Sequence, residues 1–349
     1  MELADLGGWP GVLRRLMARE DLSSEEAAAV LGEILEGAAS PSQVAAFVVA
    51  LRMKGETVEE LAGMVDAMLA AAETIDLPAG IDPVDTCGSG GSPTRRVAAF
   101  NVSTIAGFVV AGAGGTVCKH GGRAATATSS SADLLEALGV SIELGPDGVV
   151  RCLEEARMAF CFAPRFHPAM RHAGPTRREL GIPTVFNFLG PLANPAGVRR
   201  QVVGVSDPAM AEKAAGVLLA RGAERALVVH GDDGLDELTT LTTSQVIELR
   251  DGELLRYQVD PHDLGVAHDD PAAVRGGDVG VNASLARRVL DGERGGHRDF
   301  VLLNAAAGLM AAGVVDDLAA GIDAAADAVD SGKAAAVLDD LVRVSTAAA

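Results

Sequence analysis

Aromatic side chains and positive charges are both scarce in this sequence. Of its 349 residues only 3% are Phe, Trp or Tyr, and 48 acidic residues against 29 lysines and arginines give a formal net charge of −19. Such a surface repels nucleic acid and anionic lipid, and it offers bases few rings to stack on. We therefore expect neither a nucleic-acid partner nor a membrane partner, and any anion site must be a local exception.

Long apolar runs and cysteine pairs are also missing. No apolar stretch is long enough to cross a bilayer, and the acidic N-terminal sequence MELADLGGWPG lacks the pattern of a targeting peptide. The four cysteines show no CxxC spacing, which indicates buried or incidental thiols in a reducing compartment. They are Cys87, Cys118, Cys152 and Cys161. We expect a soluble, cytoplasmic protein.

Residues 85–139 contain three consecutive segments suited to binding phosphate. The first is the glycine-rich turn GSGG at 88–91, the second is NVST at 101–104, and the third is KHGGR at 119–123. A hydroxyl-rich run at 126–131 follows the third segment. Any one of them could simply build a connection, but their succession predicts an anion pocket.

Each segment supplies a different kind of positive group. Glycines allow backbone N–H groups to crowd around an oxyanion. Asn101, Ser103 and Thr104 can cap the helix that follows them, and the N-terminus of a helix attracts anions. Lys119 and Arg123 add full charges. The predicted ligand is therefore a polyanion.

The hydrophobic pattern changes near residue 78. Residues 1–75 read as helices, with capping boxes at Ser23–Glu26 and Thr57–Glu60. Later apolar runs alternate with helical segments, which predicts an α/β fold with a mostly parallel sheet. Predicted strands are 83–87, 115–119, 140–144, 158–163, 200–204, 225–230, 244–250 and 254–259. Predicted helices are 103–113, 131–139, 147–156, 207–221, 282–290, 299–312 and 316–331.

The length suits two domains. We predict a small helical domain at 1–76, joined by part of 164–198, and an α/β domain at 77–349. The segment 164–198, rich in Pro, Arg and His, is expected to cross back to the helical domain and help form a cleft. Because the loops after Cys87 and Lys119 both follow strand carboxyl ends, they are expected to meet at one crevice.

Several motifs occur together and in order: QVAAFVVALRMKGET, GSGG, NVST, KHGGR, SSSADLLEALG, FAPRFHPAMRHAGPTRRELG, FNFLGPLANPA and DELTT. Over nearly its whole length the chain resembles the anthranilate phosphoribosyltransferases of tryptophan biosynthesis. The resemblance implies a nucleoside phosphorylase/phosphoribosyltransferase-like fold and a homodimer that contacts through the helical domain. It implies transfer of the phosphoribosyl group of 5-phosphoribosyl-1-pyrophosphate (the donor) to the amine of anthranilate (the acceptor), with two Mg²⁺ ions.

The resemblance also implies roles for individual residues. Donor-binding residues would be Gly88, Gly91, Ser92, Asn101, Ser103, Thr104, Lys119, His120, Gly121, Gly122, Arg123, Ala124, Ala125, Thr126, Ala127 and Ser131. Acceptor-binding residues would be Gly88, His120, Gly122, His167 and Arg177. Ser103 would hold one Mg²⁺, and Asp236 with Glu237 would hold the second. No residue is assigned as a general acid or base.

Simpler interpretations exist for three of these positions. Asp236 and Glu237 could form an acidic surface turn, which the residues alone favour. Arg177, next to Arg178, could be a solvated arginine at a helix end, and His167 could be a packed structural histidine.

The chain departs from the family at the donor turn and at the acceptor site. Ser92 stands where the family usually has aspartate, and the longer connection after it carries Arg95 and Arg96. Gly122 replaces the usual asparagine of KHGNR. Two alternatives therefore stay open: a paralogous phosphoribosyltransferase with another aromatic acceptor, and a non-catalytic binding protein on the same fold.

Overall fold

The computed structural model describes residues 1–90, 100–123 and 129–349. Residues 1–76 form four α-helices that begin at capping residues or glycine. They are α1 (Gly8–Met17), α2 (Ser24–Leu35), α3 (Pro41–Lys54) and α4 (Val58–Ala70). The predicted capping boxes of α2 and α4 are confirmed, and Ser40 with Gln43 forms a further one at α3.

A mixed sheet of seven strands forms the larger domain. The strands are β1 (Val84–Gly88), β2 (Val117–Gly121), β3 (Met158–Phe162), β4 (Arg200–Gly204), β5 (Arg225–Gly231), β6 (Ser244–Arg250) and β7 (Glu253–Val259). Their order is β3-β2-β1-β4-β5-β6-β7. The first five of these are parallel, and the last two pair in antiparallel fashion. The predicted fold class, a small helical domain with a larger, mostly parallel α/β domain, is confirmed.

Helices cover both faces of the sheet. They are α5 (Val102–Gly112), α6 (Ser131–Leu138), α7 (Pro146–Ala156), α8 (Ala163–Phe166), α9 (Gly174–Leu180), α10 (Phe186–Leu192), α11 (Pro208–Ala220), α12 (Val279–Leu290), α13 (Gly296–Ala312), α14 (Leu318–Asp330) and α15 (Lys333–Ala348). Side chains alternate along the strands, so Val202 packs into one apolar core and Val203 into the other. The second core also contains the apolar residues of α1–α4, so the helical domain packs on that face of the sheet.

The predicted strand at 140–144 was wrong, and outside the segment 164–198 the helix α15 was not predicted. Residues 140–144 are irregular, although Val140, Ile142 and Leu144 are buried as an alternating pattern requires. The Ser141 N–H donates to Ser345 Oγ of α15 at 3.1 Å. A side-chain hydroxyl thus takes the place of the backbone carbonyl that a neighbouring strand would offer as acceptor. The alternating burial was therefore predicted correctly, and strand pairing was not.

All four cysteines are buried free thiols. Within the described residues, none of the helices combines the length and the apolar character needed to cross a membrane.

Candidate active site

Four strand ends meet at one edge of the sheet. β1, β2, β4 and β5 are parallel neighbours, so the loops after all four leave the sheet on the same side. The chain runs outward from β1 to β2 and β3 and then returns to β4 on the other side, and ligands bind at such a reversal in open α/β sheets. The carboxyl ends of β1 and β2, just after Cys87 and Lys119, therefore lie at the same edge of the sheet, as the sequence predicts.

The glycine-rich turn lies directly against the loop that follows β5. The Gly90 N–H donates to Asp236 Oδ2 at 2.7 Å, and Gly90 adopts a positive φ of 67°. A Cβ on Gly88 would lie 2.8 Å from Asp236 Oδ2, and one on Gly204 would lie 1.7 Å from the Asp236 carbonyl oxygen. Glycine at these positions therefore lets three segments approach one another closely.

The acidic pair is buried, so its interpretation as a surface turn was wrong. Asp236 is 0% exposed and Glu237 is 4% exposed. Asn304 holds the backbone just beyond them, because it accepts from the Leu238 N–H at 3.1 Å and donates to the Leu238 carbonyl at 2.9 Å. Buried carboxylates are costly unless they are paired or bind metal. Their burial beside the glycine turn suits a cation site.

The oxygen donors at this edge fit magnesium. Mg²⁺ prefers oxygen ligands and is usually held by one or two carboxylates together with water and substrate phosphates. Asp236 and Glu237 supply two carboxylates, and Ser103 supplies a hydroxyl. Nowhere in the described residues do three or more His, Cys, Asp or Glu side chains cluster as a complete metal cage. The donor set therefore matches an ion that shares its ligands with a phosphorylated substrate.

Lys119 is a buried cation beside the first turn of α5. It is 1% exposed, and its Nζ donates to the Thr86 carbonyl and lies 3.4 Å from Ser103 Oγ. Thr86 Oγ1 in turn donates to the Ser103 carbonyl at 3.1 Å. The structure thus brings Lys119 of the third segment together with Ser103 of the second segment at the end of β1.

The prediction that Asn101 caps α5 was wrong. Asn101 occupies the N-cap position, but its side chain makes no capping hydrogen bond. Its Oδ1 accepts from Ser129 Oγ and from Asn282 Nδ2, both at 2.9 Å. Asn101 therefore joins α5 to α6 and α12. Ser103 and Thr104 follow it inside the first turn of α5, where Thr104 is buried.

Arg123 is engaged by acidic residues of α6. Its side chain is 46% exposed and forms ion pairs with Asp133 at 2.6 Å and with Glu136 at 2.7 Å. Its guanidinium also lies 5.6 Å from the centre of the Phe162 ring. In this structure its charge is balanced by carboxylates of α6, whereas Lys119 contacts Thr86 and Ser103.

Ser131 begins α6 directly after the capping residue Ser130, and its Cβ would lie 3.5 Å from a Cβ built on Gly121.

Several predicted donor contacts and the two extra arginines lie outside the described residues. They are Gly91, Ser92, Arg95, Arg96, Ala124, Ala125, Thr126 and Ala127.

Two buried histidines, His120 of β2 and His167 after α8, lie side by side. The ring centres of His120 and His167 are 5.0 Å apart. His120 Nδ1 is 3.1 Å from the Gly190 carbonyl oxygen, and His167 Nε2 is 2.9 Å from the Ala193 carbonyl oxygen. Carbonyls only accept, so both of these nitrogens carry protons. The segment that contains α10 thus fixes the orientation of both rings.

Both rings are held neutral at physiological pH. Burial lowers the pKa of His120 to about 3, with further lowering from His167 and Lys119. Burial also lowers the pKa of His167, although its hydrogen bond to Ala193 opposes the shift. With Nδ1 protonated, neutral His120 has Nε2 as a hydrogen-bond acceptor.

Acid should destabilise the protein through His120. Its folded-state pKa of about 3 lies below the ordinary 6.5, so its contribution to stability is full above pH 6.5 and is lost as the pH falls towards 3. Between about pH 6.5 and 5, the free energy of unfolding should fall in the wild type by up to about 1.4 kcal/mol per pH unit more than in His120→Gln. Urea unfolding at several pH values measures both proteins.

Asp85, whose pKa burial raises to about 6, shifts the stability in the opposite direction, but it is present in both proteins. The same acid dependence in wild type and variant would show that His120 is not held neutral.

Arg177 of α9 is a half-buried arginine stacked on an aromatic ring. Its guanidinium lies 5.4 Å from the centre of the Phe186 ring. Burial lowers its pKa, and no acidic side chain of the described residues opposes this shift. The neighbouring Arg178 is exposed. Arg177 therefore differs from a solvated helix-end arginine, and its fork is suited to a carboxylate ligand.

Gly122 has room for a side chain. A Cβ built there would lie 3.5 Å from Ala163 Cβ and 3.9 Å from Pro164 Cδ, which are ordinary contact distances. Its φ lies outside the left-handed region. Neither close approach nor backbone conformation therefore requires glycine at this position.

Sequence reasoning missed Asp85, the second residue of β1, and Asn194, which follows α10; both are buried. Asp85 had a detectable signal, because it is a carboxylate inside an otherwise apolar strand. Asn194 lies in a Pro-rich segment and gave no such signal, since its partners come from distant parts of the chain.

Comparison with known proteins agrees with this geometry. Residues 10–72 match the glycosyl transferase family, helical bundle domain, and residues 81–335 match the glycosyl transferase family, a/b domain. The anthranilate phosphoribosyltransferase of Chloroflexus aggregans is 51% identical over 95% of this chain and 96% of its own length. That of Streptomyces griseus is 50% identical over 97% and 96%.

Two solved structures show the same architecture. The anthranilate phosphoribosyltransferase of Thermus thermophilus superposes with a TM-score of 0.89 at 41% identity, covering 96% of this chain and 99% of that chain. The enzyme of Saccharomyces cerevisiae in complex with PRPP and Mg superposes with a TM-score of 0.87 at 27% identity, covering 97% and 98%.

Proposed function

The chain belongs to the anthranilate phosphoribosyltransferase family, and we propose that it joins the amine of anthranilate to C1 of 5-phosphoribosyl-1-pyrophosphate and releases pyrophosphate. The observation that supports this most strongly is the meeting of three features at one sheet edge. These are the glycine turn at 88–90, the Lys119–Ser103 pair and the buried acids Asp236 and Glu237. An otherwise negative molecule thus keeps one local site for a polyanion and its cation.

The donor is held by groups that stabilise the departing pyrophosphate. Lys119 is buried and held by the Thr86 carbonyl before the substrate arrives, and such a preorganised cation stabilises developing negative charge. Bound Mg²⁺ would neutralise further charge on the leaving pyrophosphate. We propose two ions, one held by Ser103 and one by Asp236 and Glu237. As C1 gains oxocarbenium character, positioning matters more than a strong base.

The acceptor is oriented by residues at the domain boundary. Arg177 has a guanidinium suited to bidentate contact with the anthranilate carboxylate. The Nε2 atom of neutral His120 can accept a hydrogen bond from the amine of anthranilate. Among yeast structures with the same architecture, one is a complex with 4-fluoroanthranilate, at a TM-score of 0.87 and 26% identity. His167 serves mainly to pack against His120, at 5.0 Å between ring centres.

A fluorescence assay tests the proposed reaction. Anthranilate fluorescence should fall only when protein, donor and Mg²⁺ are all present, with one pyrophosphate released per acceptor consumed. Pyrophosphate release with another aromatic amine but not with anthranilate would identify a paralogue with a different acceptor. Donor binding without turnover of any aromatic amine would identify a binding protein.

Gly122→Asn should tighten acceptor binding. The position accepts a Cβ at ordinary distances, and an amide there adds one hydrogen-bonding group to the acceptor site. One neutral hydrogen bond contributes about 1 kcal/mol, so the Kd for anthranilate should fall about fivefold. Titration calorimetry of both proteins with anthranilate measures the change, and donor affinity is the internal control. Weaker binding would show that the surroundings have adapted to glycine.

We also propose that the chain is a cytoplasmic homodimer, with domains at 1–76 (joined by part of 164–198) and 77–349. The free thiols support a reducing compartment. Met17 of α1 and Met53 of α3 are highly exposed apolar side chains of the helical domain, which supports contact through that domain. Analytical ultracentrifugation would overturn the dimer if it showed only monomers at micromolar concentration.

A further inference from the structure

Strands β1 and β2 pair over a much shorter length than their neighbours. β1 is registered with β2 at one residue pair, Val84 with Val117, whereas β1 with β4 and β2 with β3 each have five registered pairs. The two strands therefore separate towards the carboxyl ends that carry the site. Lys119 and His120 lie on the part of β2 that no longer pairs with β1.

Side chains replace the missing backbone pairing. Asp85 Oδ1 accepts from the His120 N–H at 3.1 Å, and Asp85 Oδ2 accepts from Asn194 Nδ2 at 2.9 Å. The same Asn194 Nδ2 donates to the Cys118 carbonyl, also at 2.9 Å. Asp85 is 0% exposed and Asn194 is 3% exposed. One carboxylate and one amide thus link β1, β2 and the segment after α10.

Asp85 connects directly to two residues proposed to contact the ligand, His120 and Lys119. Asp85 accepts a hydrogen bond from the backbone N–H of His120, whose ring is hydrogen-bonded to the Gly190 carbonyl. The Asp85 carboxylate also interacts electrostatically with the ammonium of Lys119. Asn194 Oδ1 accepts from the Ala196 N–H at 2.9 Å, so the amide is itself fixed in orientation. Movement of Asp85 would therefore shift the Lys119–His120 segment relative to the glycine turn.

Burial of the ionised Asp85 carboxylate does not stabilise the folded state at neutral pH. Burial raises its pKa to about 6 although Lys119, Asn194 and the His120 N–H all lower it. A carboxyl whose pKa is higher in the folded than in the unfolded state stabilises the fold only at acidic pH. For Asp85 this contribution is full below the unfolded-state pKa of about 4, and it is lost as the pH rises through the folded-state pKa of about 6. At neutral pH the charge is therefore a cost to the fold, and residues kept at such a cost are commonly functional.

We propose that Asp85 and Asn194 form a positioning pair that sets the Lys119–His120 segment for binding the phosphorylated donor. The inference rests on the proposed function, since it assumes that 5-phosphoribosyl-1-pyrophosphate binds at this edge. Neither residue is a catalytic residue, because both act through the segment they hold.

Asp85→Asn is the first test. The substitution keeps the shape but leaves one amide donor facing either His120 N–H or Asn194 Nδ2, so the segment loses one of its two restraints. Because the buried charge also disappears, the unfolding midpoint should stay within about 3 °C of wild type. The Kd for 5-phosphoribosyl-1-pyrophosphate with Mg²⁺, measured by calorimetry, should nevertheless rise at least about tenfold.

Glu60→Gln is the matched control. Glu60 is also a fully buried carboxylate, but it lies in the helical domain, where it accepts from the Leu22 N–H at 2.9 Å and pairs with Lys54 at 3.0 Å. Its amide variant should lower the unfolding midpoint and leave donor affinity unchanged. A merely structural Asp85 would follow the same pattern as Glu60.

Adding Asn194→Asp to Asp85→Asn provides the rescue. In the double variant the amide at 85 can accept from the His120 N–H and donate to the carboxylate at 194, which restores the contact between these two positions, whereas the hydrogen bond to the Cys118 carbonyl is lost. Donor affinity should therefore recover by at least about threefold over Asp85→Asn alone. Independent effects of the two substitutions, with no recovery, would overturn the pairing.

Donor affinity separates this inference from the proposed reaction. If wild type binds the donor but does not consume anthranilate, the transferase proposal fails while the positioning pair is still tested by the same titrations. Wild-type affinity in Asp85→Asn would overturn the positioning pair with the transferase intact. Failure of wild type to bind the donor would overturn both. If Asp85→Asn does not fold, Asn194→Ala must raise the donor Kd in a folded protein, or the inference is rejected.

Discussion

Asp236→Asn combined with Glu237→Gln should lower turnover by at least about a thousandfold while the protein remains folded. Both side chains are buried beside the glycine turn, and the substitution removes two negative charges without changing side-chain size appreciably. A metal held by this pair would lose its anionic ligands, and the charge on departing pyrophosphate would no longer be neutralised. A loss of several kcal/mol of transition-state stabilisation follows.

Steady-state rates at limiting and at saturating Mg²⁺ measure the effect. Asp232→Asn is the control, because Asp232 belongs to the same loop but is exposed and bonds to Thr243 and Gln245. It should retain nearly full activity and the same Mg²⁺ dependence. Wild-type rates for the double variant at limiting Mg²⁺ would remove the acidic pair from the metal site, whatever its burial.

Arg177→Ala should raise the apparent KM for anthranilate between about tenfold and a hundredfold, with a much smaller change in the KM for the donor. A hydrogen bond to a charged group contributes about 1.5–3 kcal/mol, and the guanidinium of Arg177 is half-buried on the Phe186 ring without an acidic partner among the described residues. Arg177→Lys should recover only part of the loss, because lysine keeps the charge but not the fork.

Arg178→Ala is the matched control, since Arg178 is the adjacent arginine of α9 and is exposed. It should leave both KM values close to those of wild type. Equal increases in the KM of both substrates for Arg177→Ala would contradict this prediction. They would show that Arg177 maintains the structure of the cleft and does not contact the anthranilate carboxylate. An unfolding scan of each variant separates loss of the ring contact from loss of a ligand contact.

Local patterns in the sequence determined most of the architecture. Apolar runs separated by helical segments predicted seven of the strands within a few residues. For the five parallel strands the reason is that a strand covered on both faces needs apolar side chains on both. Ser23 and Thr57 marked helix starts because a capping box is complete within four residues. The order of the phosphate-binding segments along β1 and β2 predicted that their loops would meet, since strand direction alone brings those ends to one edge.

Burial and the choice of side-chain partners were decided only by the tertiary structure. The sequence DELTT alone reads as a surface turn, and Asp236 is buried because β5 lies next to β4, whose glycine accommodates its carbonyl. Arg123 reads as a phosphate ligand until α6 brings Asp133 and Glu136 against it. Asn101 reads as a helix cap until Asn282, far along the chain, binds its side chain.

The residues themselves thus determined which groups could bind a polyanion, and strand order together with packing decided which side chains each of them contacts. Hydrogen bonds between residues distant in sequence leave no local pattern, because each partner is an ordinary polar residue in its own segment. Asp85 and Asn194 show why such contacts cannot be predicted from the sequence, because 109 positions separate them. Their hydrogen bond links the strands only where β1 and β2 no longer pair, which the tertiary structure alone reveals.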